Sequence, residues 1–294
     1  MKEFHPLSPF GSASGCFGYG KEYSWADLRG LGFICSKGIT VEARKGNPYP
    51  RLVETACGLV NSIGLENPGI DAFLRDYLPQ LCAIGVPVLV NIEAENEEGY
   101  EYLVDRLKAE RGKIAGVEVN ISCPNVPRGL ELGENPIRVR SLVERIKRIG
   151  DLYTVVKLSP MGANILDLAE ASLAGGADAL TIANTYPALV VDILKKKPRL
   201  GFGFGGLSGP AVKPLTQRLV FLVYRHFQPV IFASGGIVTA VDALEYLLCG
   251  ATYFQIGSAL FRNPLIFPQL LEEWQKLLDA EGIKDPLQLR GALQ

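Results

Sequence analysis

The run Val119-Asn120-Ile121-Ser122-Cys123-Pro124-Asn125 packs two amides and a thiol into seven residues. Asn120 and Asn125 each offer donors and acceptors, which suits a flat substrate bearing alternating carbonyl and N–H groups. A lone cysteine is most often an inert packing group, and that reading fits Cys16, Cys35, Cys57, Cys82 and Cys249. Cys123, set between those asparagines in a segment that continues through Pro127 and Gly129, reads instead as a general base or a nucleophile. Asn61 in VNSIGLENPG and Asn184 in ANT are each explicable as turn residues; a shared location would make them part of one site.

Lys37 in ICSKG and Lys157 in VVKLS stand among apolar neighbours. Snorkelling explains one such lysine. Two aimed at the same mouth point to an anion, such as a substrate carboxylate or the charge that builds on a reduced flavin. Ser234-Gly235-Gly236 and Gly257-Ser258 let backbone amides approach phosphate oxygens closely, although either pair alone is an ordinary turn. The run GFGFGG at 201–206 satisfies a bare GxGxxG, but it follows a basic stretch and lacks an acidic residue at the ribose-binding distance. It is expected to be a mobile glycine loop leading into Leu207-Ser208-Gly209. The cysteines form no CxxC pair and His5 and His226 are far apart, so neither a metal centre nor a histidine triad is expected.

Bringing these groups together requires several strand ends at one face. Short apolar, β-branched runs recur near 10–14, 32–37, 86–92, 117–122, 153–159, 179–184, 229–234 and 253–258. Helical spacing of apolar residues lies between them at 100–111, 137–149, 165–174, 214–225 and 240–248. The fold class is therefore α/β, a TIM (β/α)8 barrel, expected as one domain over residues 1–294. In such barrels the active site lies at the C-terminal strand ends, with phosphate commonly held after strands seven and eight, where the two glycine pairs fall. The connection at 40–68 is too long for a simple spacer and reads as functional. With 30 basic and 31 acidic residues, no global field favours nucleic acid or a membrane surface. No signal peptide or spanning segment is legible, and a cytoplasmic protein is expected.

Read in order, SASGCFGYG, SKGIT, RKGNPYPRLVE, VNSIGLENPG, VNISCPN, VVKLSP, ANT, GGLSGPAVKP, SGGI and QIGSA resemble dihydroorotate dehydrogenase, the flavoenzyme of pyrimidine biosynthesis, from about residue 8 to 270. The resemblance implies FMN-dependent oxidation of dihydroorotate to orotate. Cys123 matches the family's catalytic base, which removes the C5 proton while hydride passes from C6 to flavin N5; cysteine at this point is similar to the soluble class 1 branch. Lys37 matches a lysine that contacts both flavin and the substrate carboxylate. Asn61, Asn120, Asn125, Asn184 and Thr185 match the residues that hold the pyrimidine ring, joined by Ser62, Ile63, Gly64 and Leu65. The implied FMN positions are Ser14, Lys37, Gly38, Asn91, Asn120, Lys157, Ala183, Gly209, Gly235, Gly236, Gly257 and Ser258.

VNSIGLENPG resembles subclass 1B, whose partner subunit carries FAD and a 2Fe-2S cluster and passes electrons to NAD. The segment near LLCGATYFQIGSALF is also similar to subclass 1A, a homodimer using fumarate. Subclass 1B is the favoured reading, with a homodimer expected; since this chain shows neither cluster ligands nor an NAD fingerprint, electrons would on that reading leave through an FAD/iron–sulfur subunit. The alternative within the fold is another FMN barrel acting on a dihydropyrimidine. From a different class, it is a catalytically silent barrel that binds phosphometabolites. The chain departs from the family pattern at Glu93, where a small residue is usual, and at Ala183, where a bulkier aliphatic is usual. Both departures fall in the expected flavin pocket.

Overall fold

The computed structural model describes residues 4–121, 132–161 and 163–294. Eight parallel strands close into a barrel in sequential order: β1 Phe10–Ser12, β2 Phe33–Cys35, β3 Val88–Ile92, β4 Gly116–Asn120, β5 Tyr153–Lys157, β6 Ala179–Ile182, β7 Ile231–Ser234 and β8 Tyr253–Ile256. Closure comes from β1, which pairs with β8 on one side and β2 on the other. Every expected strand is present, and most end earlier than the apolar pattern suggested. The residues just past the ladder, such as Lys37 and Asn184, are those that turn into the barrel mouth.

Helices Glu97–Lys108, Pro136–Ile149, Ile165–Ala174, Lys213–Phe227 and Ala240–Leu248 pack around the strands. The first shows the logic: Tyr100, Leu103, Val104 and Leu107, spaced three and four apart, are the buried face. It begins before the expected residue 100 because the Asn96 side chain accepts from Gly99 N at 2.9 Å and caps it. The helix Ile266–Ala280, which follows the last barrel strand, buries Phe267, Leu270 and Trp274.

The floor of the barrel is aromatic. The Phe4 ring lies 5.3–5.6 Å from the rings of Phe33, Tyr153, Phe232 and Tyr253, near the beginnings of their strands. These contacts, stacked with Tyr153 and edge-to-face with the other three, seal the N-terminal end with apolar mass and leave the opposite end for chemistry.

Beside the mouth stands a four-stranded antiparallel sheet, in the order Leu52–Thr55, Gly58–Asn61, Gly205–Ser208, Tyr186–Ala188. It corrects the expectation for 201–206: Gly205 and Gly206 are not part of a mobile loop but belong to a strand paired on both edges. Glycine hides this from a pattern search, because it supplies no alternating side chain. It is required here because a Cβ on Gly206 would collide with the Thr185 side chain. The long connection at 40–68 contributes two of the other three strands, Leu52–Thr55 and Gly58–Asn61, so its length builds structure.

Candidate active site

The strand ends deliver the expected groups to one mouth. Lys37 and Gly38 follow β2, Asn91 lies near the end of β3, Asn120 ends β4 and Lys157 ends β5. Ala183, Asn184 and Thr185 follow β6, Gly235 and Gly236 follow β7, and Gly257 and Ser258 follow β8. Ser14 lies in the turn after β1. Cys123 and Asn125 lie outside the described residues.

A chain of amides crosses the mouth. Asn184 Nδ2 donates to Asn120 Oδ1 at 3.2 Å, and Asn120 Nδ2 donates to Glu93 Oε2 at 2.7 Å. Thr185 N donates to Asn184 Oδ1 at 2.8 Å, and Tyr100 Oη donates to the Asn120 carbonyl at 2.6 Å. The departure at Glu93 thus has a structural place: its buried carboxylate accepts from a ring-binding candidate. Asn61 joins the group through the added sheet, where its Nδ2 donates to the Gly206 carbonyl at 3.2 Å.

The segment after Asn61 folds over β2. Gly64 and Leu65 adopt left-handed backbone, with φ of 71° and 56°. A Cβ at Gly38 would lie 3.5 Å from Leu65 Cδ2, so Leu65 roofs the residue after Lys37. Ser62 is buried and accepts from Asn47 Nδ2 at 2.9 Å, while Asn47 N donates to the Ile63 carbonyl at 3.0 Å. Lys37 Nζ stands 3.9 Å from Glu66 Oε2, which also pairs with Arg51 at 2.9 Å. Burial pulls the Lys37 ammonium below its ordinary pKa, partly countered by Glu66 and Glu22. A cavity of about 910 Å³ opens beside this segment, lined by Thr40, Arg44, Leu65, Glu93, Tyr100 and Ile121 among others. Among the described residues its lining includes neither Lys157 nor the glycine turns.

Two glycine turns meet at Gly209 and Gly236. Gly209 and Gly236 have φ of 105° and 71°, and a Cβ on Gly236 would sit 2.8 Å from the Gly209 carbonyl oxygen. This close approach of backbones leaves amides free of side-chain bulk, which suits phosphate. At the ring end, Asn91 Nδ2 donates to Glu118 Oε1 at 2.7 Å, while Asn91 Oδ1 is buried without a hydrogen-bond partner. A buried orphan acceptor costs about 1–3 kcal/mol, so a bound group with N–H donors fits there. Lys157 is buried nearby, its Nζ 3.8 Å from the same Glu118 oxygen, so a cation stands beside this acceptor. The residues present fit a phosphate-bearing flavin.

Burial disfavours the thiolate at four of the described cysteines. Burial pushes Cys16 and Cys249 up to about 11, Cys82 is raised by burial, and Cys35 is raised well above the usual thiol range by burial and by Glu118. Sequence reasoning missed Glu118 altogether, along with Thr181 and Gln255, which donate to it. A signal was present: each is a polar residue inside an otherwise apolar strand, in GVEVN, ALTI and YFQI.

The family model for dihydroorotate dehydrogenase matches residues 2–278. The chain belongs to the dihydroorotate dehydrogenase family. It is 44% identical over 290 residues to a protein of Solidesulfovibrio magneticus named dihydroorotate dehydrogenase B (NAD(+)), catalytic subunit, covering 98% of this chain and 94% of that one. A protein of the same name from Geotalea uraniireducens is 41% identical over 288 residues, with 97% and 94% covered. The crystal structure of a dihydroorotate dehydrogenase from Eimeria tenella in complex with ferulenol is similar in fold, with a TM-score of 0.78 at 21% identity, covering 97% of this chain and 85% of that one. Among the described residues of this dihydroorotate dehydrogenase family member, no helix is long and apolar enough to cross a membrane, and no group of three His, Cys, Asp or Glu could hold a metal.

Proposed function

We propose that the chain oxidises dihydroorotate to orotate for pyrimidine synthesis with bound FMN, as the catalytic subunit of an enzyme that hands electrons to NAD through a second subunit. The observation that carries this reading is the convergence of Lys37, Asn91, Asn120, Lys157 and Asn184 from five strand ends onto one mouth. FMN, when bound, supplies the acceptor for the hydride that leaves the substrate. Gly209, Gly235, Gly236, Gly257, Ser258 and Ser14 would hold its phosphate end. Gly38, Asn91, Asn120, Lys157 and Ala183 would hold its ring.

On the substrate side, Asn61, Asn120, Asn184 and Thr185 provide the amide and hydroxyl groups that read a flat pyrimidine, with Asn125 completing the set. The segment Ser62, Ile63, Gly64 and Leu65 covers the ring. Lys37 is the cation for the carboxylate, and its partial burial strengthens that attraction. Cys123 is assigned as the base. A free thiol has a pKa near 8.5, so the cations Lys37 and Lys157 favour the thiolate. The named relatives are of the B type, which favours NAD over fumarate as the eventual acceptor.

The test is anaerobic mixing of the flavin-loaded chain with dihydroorotate and, separately, dihydrouracil. Dihydroorotate should bleach the flavin absorbance and dihydrouracil should leave it largely intact, because only the former has a carboxylate for Lys37. A chain that takes up no FMN, or that reacts equally with both, overturns the assignment.

A further inference from the structure

Barrel interiors are filled by layers of four side chains from alternate strands, dominated by branched apolar residues. One layer here is different. Cys35 of β2, Glu118 of β4, Thr181 of β6 and Gln255 of β8 form it, and the other three all donate to the Glu118 carboxylate, which has no solvent exposure. Oε1 receives Cys35 Sγ at 3.0 Å and Asn91 Nδ2 at 2.7 Å, and Oε2 receives Thr181 Oγ1 at 2.6 Å and Gln255 Nε2 at 2.7 Å. Lys157 Nζ lies 3.8 Å from Oε1. Burial alone would raise this carboxyl, but Lys157 and the hydrogen bonds from Thr181, Gln255 and Cys35 hold it below its ordinary value, so it is ionised.

A carboxylate buried this deeply is costly, and an apolar layer would serve the fold as well or better. What separates Glu118 from a packing group is the position of two of its partners. Asn91 and Lys157 stand at the mouth ends of β3 and β5, where the flavin ring is placed by the functional reading on which this inference rests. Holding Asn91 Nδ2 fixes which way that amide faces and leaves Oδ1 as the buried acceptor on the Gly38 side, 3.0 Å from where a Gly38 Cβ would lie.

We propose that Glu118 is a positioning residue for the cofactor: it orients the Asn91 amide and, as a fixed negative charge behind Lys157, sets the field under the flavin ring and hence its reduction potential. Removing that charge leaves the Lys157 cation uncompensated, which favours the more electron-rich reduced flavin.

Wild-type protein is first titrated with FMN. Failure to bind overturns the functional reading and this inference together. If FMN binds, the potential is measured against a redox dye in wild type, Glu118→Gln and Glu118→Asp. Glu118→Gln is expected to raise the reduced-to-oxidised ratio at a given potential about tenfold, a shift of about +30 mV for two electrons. Glu118→Asp, which keeps the charge, should return most of it. A purely structural Glu118 would lower the melting temperature and leave the potential unmoved, and that result overturns the inference alone. Should Glu118→Gln fail to fold, the neutral pair Glu118→Gln with Lys157→Met is compared with Lys157→Met. The glutamine should still raise the potential there, because a negative charge near the ring is lost, and equal potentials in the two variants overturn the inference.

Discussion

Asn120 cannot rotate its amide without breaking one bond to Glu93 and another to Asn184. Its donor and acceptor are therefore fixed before any ligand arrives, which lowers the entropy lost on binding. Lys157 is tied in the same way to Glu118, and Lys157→Ala should have two effects. It should weaken FMN binding, read by flavin fluorescence, and it should cost about 3 kcal/mol of stability, because breaking a buried pair leaves a charge uncompensated. Cys123→Ala should retain FMN and lose turnover by at least about 100-fold, the usual scale of general-base catalysis. A stopped-flow measurement of flavin reduction by dihydroorotate checks it, and a wild-type rate removes Cys123 from the mechanism. At this scale most of the site was legible, because a lysine or asparagine at the end of an apolar strand announces itself. Glu93 was visible as a departure from the family pattern, but its partner 27 residues away was not.

Among the elements, the helix Ala240–Leu248 explains how the glycine turn after β7 is held. Thr239 and Asp242 form a reciprocal capping box at its start. Asp242 also accepts from Lys213 at 2.5 Å, and Lys213 reaches Glu245 at 2.8 Å, so the cap is joined to the helix Lys213–Phe227 that begins just after Gly209. Burial works against the ionised Asp242, but Lys213 and the amides of Val238 and Thr239 outweigh it and hold the carboxyl below its ordinary 3.8. A lowered folded-state pKa gives stability that is present above the unfolded value and lost as pH falls through the folded one. Asp242→Asn should therefore cost about 1 kcal/mol near pH 7, and its melting temperature should converge on that of wild type as pH drops toward 3. A constant difference across that range would show that Asp242 does not act through its charge. The capping box lay in the sequence as Thr239 and Asp242; the link to Lys213 required the two helices to pack.

The whole molecule is polarised along the barrel axis, with an aromatic plug around Phe4 at one end and amides, lysines and glycine turns at the other. On the proposed reading, which rests on relatives named as NAD(+)-type catalytic subunits, electrons bound for NAD leave through a second subunit. The isolated chain should accordingly reduce an artificial dye with dihydroorotate but show little NAD-linked turnover, and adding the electron-transfer subunit should restore it. Full NAD reduction by the purified chain alone would contradict the need for a partner.

The order of strands and helices, and the identity of most mouth residues, follow from the sequence by itself, because periodicity and strand-end chemistry are local properties. Tertiary structure alone decided that Glu118 gathers Thr181, Cys35 and Gln255 from 63, 83 and 137 residues away. It also decided that Gly205–Ser208 would be a strand between Gly58–Asn61 and Tyr186–Ala188. Such pairings are made by barrel closure and by backbones meeting where glycine leaves room. Neither has a signature within any window of the chain.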